Sequence, residues 1–171
     1  VSRYVKLSKT TRDPRLAKRA TEIALHAGNP YAAEQAATIW IELEPDSAEA
    51  RQTIAALLIN LGKLDAAKPH LDKLLSSEKD NVGGAFMQLN QLLSRNPNKV
   101  EALQLIQQLS QPYKDLPEVH FATSQAAWFA NQHQLALDEM QRALALRPDW
   151  EIAAIHYGRI LQRTSNAEAS D

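Results

Sequence analysis

The hydrophobic positions of this chain recur at helical spacing in short segments. In one segment the apolar residues are separated by four, three, one and three positions, which aligns them along one face of an α-helix. They are Ala50, Ile54, Leu57, Leu58 and Leu61. A second stripe of the same kind follows after Gly62, formed by Leu64, Ala67, Leu71, Leu74 and Leu75. Because no segment shows the strict alternation of a half-buried strand, the pattern predicts pairs of short helices and no sheet.

Four repeat positions return with a period of 34 or 35 residues along the chain. They are occupied by Gly28, Gly62, Asn96 and Asn131; by Ala33, Ala67, Ala102 and Ala136; by Ala37, Leu71, Ile106 and Met140; and by Trp40, Leu74, Leu109 and Ala143. The one extra residue lies in the turn Pro97-Asn98. A helical unit this short cannot bury its apolar face alone and must stack on its neighbours.

Helix start and stop signals divide the chain into repeats. Asp13-Pro14 and Asn29-Pro30 are typical helix starts, and Pro45 and Pro148 are typical stops. The expected organisation is the end of a preceding helix or a linker over 1–12, an array over 13–163, and a flexible tail over 164–171. The array comprises 13–45, 46–79, 80–114, 115–148 and a half repeat, 149–163. We expect the third repeat to be the weakest, since Gly83-Gly84 and the enlarged turn lower its helix propensity.

The period and the small residues of the repeat resemble the tetratricopeptide repeat. Ala33, Ala67, Ala102 and Ala136 match its conserved alanine, and Tyr157-Gly158 with Leu161 match part of a fifth unit. The match is incomplete, because Arg51, Ala85 and His120 stand where the family prefers Trp. The resemblance implies an all-α, right-handed superhelix of about four helix pairs plus an extra C-terminal helix.

A finer resemblance concerns the first residues of the chain. Tyr4-Val5-Lys6-Leu7 and the stretch from Thr11 to Ala20 look like the first segment of proteobacterial outer-membrane tetratricopeptide lipoproteins, some of which act as adaptors. This resemblance implies a periplasmic location, with outer-membrane anchoring of the full-length protein. A cytoplasmic location is the alternative.

Composition and charge narrow the function classes. The formal net charge of −1 argues against a general nucleic-acid binder, although residues 1–21 carry seven Lys or Arg side chains against only Asp13. This basic end could meet an acidic partner or anionic headgroups, or be an ordinary solvated helix face. There is no cysteine, and no apolar run approaches the roughly 20 residues that span a bilayer. The first residues, Val-Ser-Arg-Tyr, form neither a signal peptide nor an initiator methionine, so we expect a piece of a longer chain.

Catalytic and metal-binding signatures are not found in the sequence. The five histidines are not spaced four apart, and there is no nucleophile elbow and no glycine-rich phosphate loop. We therefore expect no enzyme activity, no metal and no cofactor.

The expected site is the face formed by the first helix of each pair, which lines the concave side in the family that the chain resembles. Phe121, Gln125 and Trp128 share one helix face, and Phe86, Asn90 and Leu93 repeat that geometry one unit earlier. The predicted partner-binding residues are Phe86, Asn90, Leu93, Phe121, Gln125, Trp128, Phe129, Gln52, Lys18 and Glu22. The competing interpretation is that Phe121 and Trp128 pack against the last helix or a further repeat.

The sequence thus predicts a non-enzymatic scaffold or adaptor that binds a protein or peptide partner, within a bacterial envelope assembly. The alternative is a structural segment of a longer repeat protein that self-associates through its end repeats and has no ligand of its own.

Overall fold

The computed structural model describes residues 2–168, which form ten α-helices and no strand. The chain divides into two compact units, residues 1–77 and 78–171. The first unit contains α1 (Ser2–Thr11), α2 (Pro14–His26), α3 (Pro30–Leu43), α4 (Ala48–Asn60) and α5 (Leu64–Ser77). The second contains α6 (Val82–Leu93), α7 (Lys99–Ser110), a 3₁₀ turn (Gln111–Tyr113), α8 (Pro117–Phe129), α9 (His133–Leu146) and α10 (Glu151–Glu168).

Side-chain caps begin three helices of the first unit, α2, α3 and α4. The side chains of Asp13, Asn29 and Ser47 accept hydrogen bonds from the N–H groups of Arg15, Ala32 and Ala50. Gly28 and Gly62 end α2 and α4 with φ angles of 63° and 71°, a backbone region that glycine enters without steric cost. These signals produce two helix pairs, α2–α3 and α4–α5, with α1 packed against α2 and α3.

Small side chains let paired helices of the first unit approach closely. Ala17, Ala20 and Ala24 of α2 are fully buried, as are Ala33, Ala36 and Ala37 of α3. With only a methyl group at each of these positions, the helix backbones can approach within van der Waals contact of the side chains. Trp40 adds a buried ring whose Nε1 donates to Glu44 Oε2 at 2.7 Å.

The second unit contains the pairs α6–α7 and α8–α9, followed by α10, which packs on α9. The backbones of α8 and α9 approach closely, and Ser124 Oγ donates to the Ala136 carbonyl oxygen across the pair at 2.6 Å. The backbones of α6 and α7 do not come as close; each of these two helices packs on α8 instead.

The all-α fold of tandem helix pairs plus a C-terminal helix is confirmed. One local feature differs from expectation: the last helix continues to Glu168 rather than ending near Arg163. The segment expected to be the end of a preceding helix or a linker contains the helix α1. Asn131 adopts the left-handed conformation, with φ of 59°, whereas Asn96 at the same repeat position in the enlarged turn does not. Residues 169–171 of the expected tail lie outside the described residues.

Candidate partner-binding groove

Four of the predicted partner-binding side chains are buried inside the second unit. Phe86, Leu93 and Phe121 are at most 1% exposed, and Asn90 is 6% exposed. Their predicted exposure on an open surface is therefore wrong, because no partner could reach them without opening the helices.

Neighbouring aromatic and amide groups explain this burial. The Phe121 ring lies 4.8 Å from the Trp150 ring and 5.1 Å from that of His156, measured between centroids. Such aromatic pairs contribute beyond their buried area. Phe86 meets Tyr113 edge-on at 5.8 Å. For Phe121, the competing interpretation of packing against the last helix and the residue before it is correct.

Asn90 has a structural role instead of facing a ligand. Its Nδ2 donates to Gln125 Oε1 at 2.6 Å, which links α6 to α8. A buried amide without a partner would cost about 1–3 kcal/mol, so this hydrogen bond is what allows Asn90 inside the unit. It also fixes the orientation of Gln125.

The other predicted residues of α8 border an open groove of about 270 Å³. We call it the aromatic groove. Its lining residues come from α8, α9 and α10: Gln125, Trp128, Phe129, Met140, His156, Arg159, Ile160 and Arg163. Trp128 is half-buried and Phe129 is 51% exposed, while Met140 is fully buried at the base.

The charged groups that line the groove are cationic. The Arg163 guanidinium lies over the Trp128 ring at 5.5 Å, and the His133 ring contacts the same indole at 4.5 Å. The Lys99 ammonium lies 5.8 Å from the Phe129 ring while donating to the Ser94 carbonyl oxygen. Burial, with a smaller contribution from Arg159, lowers the pKa of His156 below its ordinary value, so this ring is neutral at pH 7.

The first unit contains the remaining predicted residues. Lys18 is half-exposed and pairs with Glu49 at 2.7 Å, with its ammonium 5.4 Å from the Trp40 ring. Glu22 pairs with Arg19 at 3.0 Å, and Gln52 is exposed. These contacts do not test whether Lys18, Glu22 and Gln52 bind a partner, so that role stays a prediction.

A buried ionic cluster lies inside the second unit. His120 Nδ1 donates to Glu139 Oε2 at 2.6 Å, and His120 Nε2 donates to the Lys114 carbonyl oxygen at 2.7 Å. The Lys114 carbonyl oxygen can only accept, and the ion pair with Arg142 favours the ionised form of Glu139, so both ring nitrogens of His120 donate when the ring is charged. The Glu139 hydrogen bond raises the pKa of His120 above its ordinary value of 6.5, against the opposing effect of burial. Arg142 completes the cluster by bonding Glu139 Oε1 at 2.7 Å.

Neither a metal centre nor a membrane span is found in the part of the chain that the structure describes. Residues 2–168 contain no group of three or more His, Asp or Glu side chains placed to hold a metal ion. No helix in that range has both the length and the apolar character needed to cross a bilayer.

Sequence reasoning missed the contribution of α10 to the groove. Ile160 follows Arg159 by one position, and Arg163 follows Ile160 by three positions and Arg159 by four. On a helix this spacing places the three side chains on one side, where they line the groove. The signal was present in the sequence, but the assignment of α10 as a half repeat gave no reason to look for a groove beside α8.

Comparisons with known proteins support the fold. No protein-family model matches the chain. It is similar to the TPR repeat-containing protein PA4667 of Pseudomonas aeruginosa, with 25% identity over 119 residues, covering 60% of this chain. The chain spans 20% of the length of that relative.

Solved structures of MamA resemble the chain over most of its length. The structure described as MamA 41-end from Desulfovibrio magneticus RS-1 has a TM-score of 0.51 and 20% identity, covering 91% of this chain and 88% of that one. Another crystal structure of MamA has a TM-score of 0.51 and 12% identity, with coverages of 89% and 82%. These structures support the all-α repeat fold, and the prediction of tetratricopeptide-type repeats is supported by the similarity to the TPR repeat-containing protein PA4667. The outer-membrane lipoprotein type stays a prediction.

Proposed function

We propose that this chain, built from tetratricopeptide-type helix pairs, is a non-enzymatic interaction module that holds a segment of a partner protein in the aromatic groove. The observation that carries the proposal is the pair of accessible rings, Trp128 and Phe129, beside an open cavity with an apolar base. Rings of this kind offer a large and rigid contact area at small entropic cost, and they dominate binding energy in many interfaces.

The size of the groove suits side chains of a peptide. Its volume of about 270 Å³ is below the range of roughly 300–1,000 Å³ typical of pockets that enclose a whole small molecule. The half-buried Trp128 ring and the exposed Phe129 ring provide the apolar surface that one large aliphatic or aromatic side chain can cover, and the buried Met140 and Ile160 form the floor beneath them. The rest of the partner segment would lie along α8 and α10.

The chemistry of the second unit favours binding over catalysis. The buried acid–base pair of His120 and Glu139 is fully hydrogen-bonded to structural partners. It therefore has no free position for a substrate, and its role is to join α8 to α9.

For the cellular setting we propose a bacterial envelope assembly. The similarity to a Pseudomonas aeruginosa protein and the resemblance of the first segment to envelope lipoproteins support this setting. Fractionation of cells that express the full-length protein with a C-terminal tag tests it. Recovery in the cytoplasmic fraction would contradict the envelope setting without affecting the groove.

A peptide-selection experiment tests the interaction function. A library of random peptides displayed on phage is selected on the wild-type chain, and selected peptides are measured against the double variant Trp128→Ala/Phe129→Ala. We expect binding to fall at least about tenfold, as for truncated interface anchors, with unchanged helix content by circular dichroism. The matched control is Tyr31→Ala, which removes a 65% exposed ring from the first unit. Equal binding by all three proteins would contradict the groove.

A second candidate function is self-association, as in the structural alternative. It is favoured by the exposed apolar side chains Ile152, Ile155 and Leu161 on α10, which are 58%, 47% and 40% exposed. Light scattering across a concentration series distinguishes the two functions. A dimer that dissociates on Ile152→Ser/Ile155→Ser would favour this alternative.

A further inference from the structure

Two arginines of α10 lie at the edge of the aromatic groove. Arg159 and Arg163 are four residues apart, so both reach the same side of the helix, and both line the cavity. No Asp or Glu is among the described lining residues. The electrostatic potential in the groove is therefore set by these two cations, with Lys99 near Phe129 adding a third.

These two arginines differ from Arg142 and Arg147 of the second unit, which are ion-paired. Arg142 pairs with Glu139, and Arg147 pairs with Glu118. Arg159 and Arg163 form no ion pair with a carboxylate in the part of the chain that the structure describes. Like charges four residues apart on a helix surface are unfavourable by about 0.2–0.5 kcal/mol, so helix stability does not explain their placement.

We propose that the partner segment held in the aromatic groove is acidic. One apolar side chain of the segment packs against the accessible rings of Trp128 and Phe129, and neighbouring Asp or Glu side chains pair with Arg159 and Arg163. This inference rests on the proposed function and specifies the chemistry of its partner. A carboxylate can bind a guanidinium through two parallel hydrogen bonds, which orients the segment along α10.

A single-stranded nucleic acid also combines anionic groups with flat rings, but the groove fits it less well. The buried Met140 and Ile160 that line the groove are aliphatic and sulfur-containing, so they offer no ring on which a base could stack. A strand also requires a row of cations that follows its phosphates, and the whole chain has a net charge of −1. An acidic peptide needs only the local charges that are present.

The first test is the composition of the selected peptides. Peptides whose binding depends on Trp128 and Phe129 should be enriched in Asp and Glu beside an apolar residue, compared with the unselected library. Their affinity should fall as NaCl is raised from about 0.05 to 0.5 M, since exposed charge pairs are screened.

The second test reverses charge in the groove and at a control position. Arg159→Glu/Arg163→Glu should weaken the binding of a selected acidic peptide by at least about tenfold, because attraction is replaced by repulsion. The control, Arg3→Glu/Lys6→Glu, makes the same change in net charge on exposed residues of α1. Fluorescence anisotropy of the labelled peptide gives both dissociation constants. Both variants change exposed side chains, so their folding is checked by circular dichroism.

The outcomes separate this inference from the proposed function. Groove-dependent peptides that lack acidic residues, or charge reversal with no effect, would overturn the acidic-partner inference and leave the interaction function standing. Absence of any groove-dependent peptide would overturn both. Equal weakening by the α1 control would show a non-specific charge effect and overturn the inference. A labelled oligo-dT that binds wild type and loses affinity on Trp128→Ala would replace the peptide with a nucleic acid.

Discussion

The α6–α7 and α8–α9 pairs occupy equivalent places in the repeat, but their helices are held together differently. In α8–α9 the two backbones meet closely, with Ser124 and Ala136 fully buried between them. The helices of α6–α7 keep a wider separation, and both pack on α8. One pair is therefore stabilised by its own interface, and the other depends largely on its neighbour.

We infer that a single repeat position contributes to this difference. At intervals of 34 or 35 residues the chain has Thr21, Ala55, Leu89, Ser124 and Gly158, and Leu89 is the only large residue among them. Thr21, Ala55 and Ser124 are buried, and Ser124 bonds the Ala136 carbonyl oxygen where α8 meets α9. A buried leucine needs more room than these small residues, so we infer that Leu89 holds the backbones of α6 and α7 apart.

The start and the turn of α6–α7 weaken this pair further. Asn81 precedes α6 without a capping hydrogen bond, and Gly83 and Gly84 follow in the first turn. A small gap of about 10 Å³ remains where Leu93, Ile106 and other residues of α6, α7 and α8 meet. In a stacked array such a unit should open before its neighbours, so we expect faster amide hydrogen exchange in α6 than in α4 and α8.

The largest expected effect comes from truncating the central aromatic residue of each pair. Phe121→Ala should lower the free energy of unfolding by about 3–5 kcal/mol, as buried aromatic truncations do. It should also reduce hydrogen-exchange protection in α6 and α7, because both pack on α8. Phe86→Ala is the matched variant and should affect α6 and α7 while leaving α9 protected. Loss of α9 protection in the Phe86 variant would contradict the dependence of one pair on the other.

The second largest effect should come from introducing a leucine into α8 at the position equivalent to Leu89. Ser124→Leu places in α8–α9 the residue type that separates α6 from α7, and it removes the hydrogen bond to the Ala136 carbonyl oxygen. We expect a loss of about 1–3 kcal/mol, the usual cost of overpacking, measured by urea denaturation. The control is Ser124→Ala, which keeps the position small and loses only about 1 kcal/mol for the hydrogen bond. Equal stability of the leucine variant and wild type would show that this position does not set the helix separation.

Much of the fold could be predicted from the sequence because its determinants are local and periodic. Alanines recur at fixed spacing, and Gly28, Gly62 and Asn131 take the left-handed conformation that ends a helix. Leu89 could also have been found, since it breaks a series that the repeat period defines. It was missed because the weakness of that repeat was attributed only to Gly83-Gly84 and the turn.

The site was harder to predict because burial depends on residues that the four recurring positions do not include. Phe121 and Trp128 fall on one helix face, yet Trp150 and His156 cover Phe121, while Trp128 stays accessible. Trp150 lies between helices, where a periodic pattern assigns no contact. The His120–Glu139 pair spans 19 residues and two helices, so a search for ligands spaced along one helix could not find it.

A third, smaller effect is a dependence of stability on pH. It should arise in the α8–α9 pair, because the cluster of His120, Glu139 and Arg142 joins these two helices. A pKa raised above 6.5 in the folded state means that the stabilisation is fully present below pH 6.5 and is lost as pH rises through the raised pKa. The pKa values of His70 and His156 are lowered by burial, so their contributions act in the opposite direction.

Comparison with His120→Gln isolates the contribution of His120. Melting temperatures measured from about pH 5.5 to 8.5 should show the difference between wild type and variant shrinking as pH rises. We expect the change in stability to be about 1 kcal/mol, the net contribution of a typical hydrogen bond in a protein. A constant difference across this range would show that the pair is not ionised as the hydrogen bonds indicate.

The smallest effect should come from improving the weak pair. Gly84→Ala should stabilise α6 by about 0.5–1 kcal/mol, the difference in helix propensity between the two residues. The new methyl group would meet the Asn81 side chain, which can rotate away at little cost because it makes no capping hydrogen bond.

Gly83→Ala is the matched control one residue away. Its methyl group would lie 2.7–3.0 Å from side-chain atoms of Glu118, which is held by Arg147, so the gain in propensity should be offset by displacing that ion pair. Hydrogen exchange in α6 should therefore slow in the Gly84 variant and stay near wild type in the Gly83 variant. If both variants slowed exchange equally, propensity alone would limit the start of α6 and its packing on Glu118 would be unimportant; if neither did, the wide separation at Leu89 would be the remaining cause of the weakness of this pair.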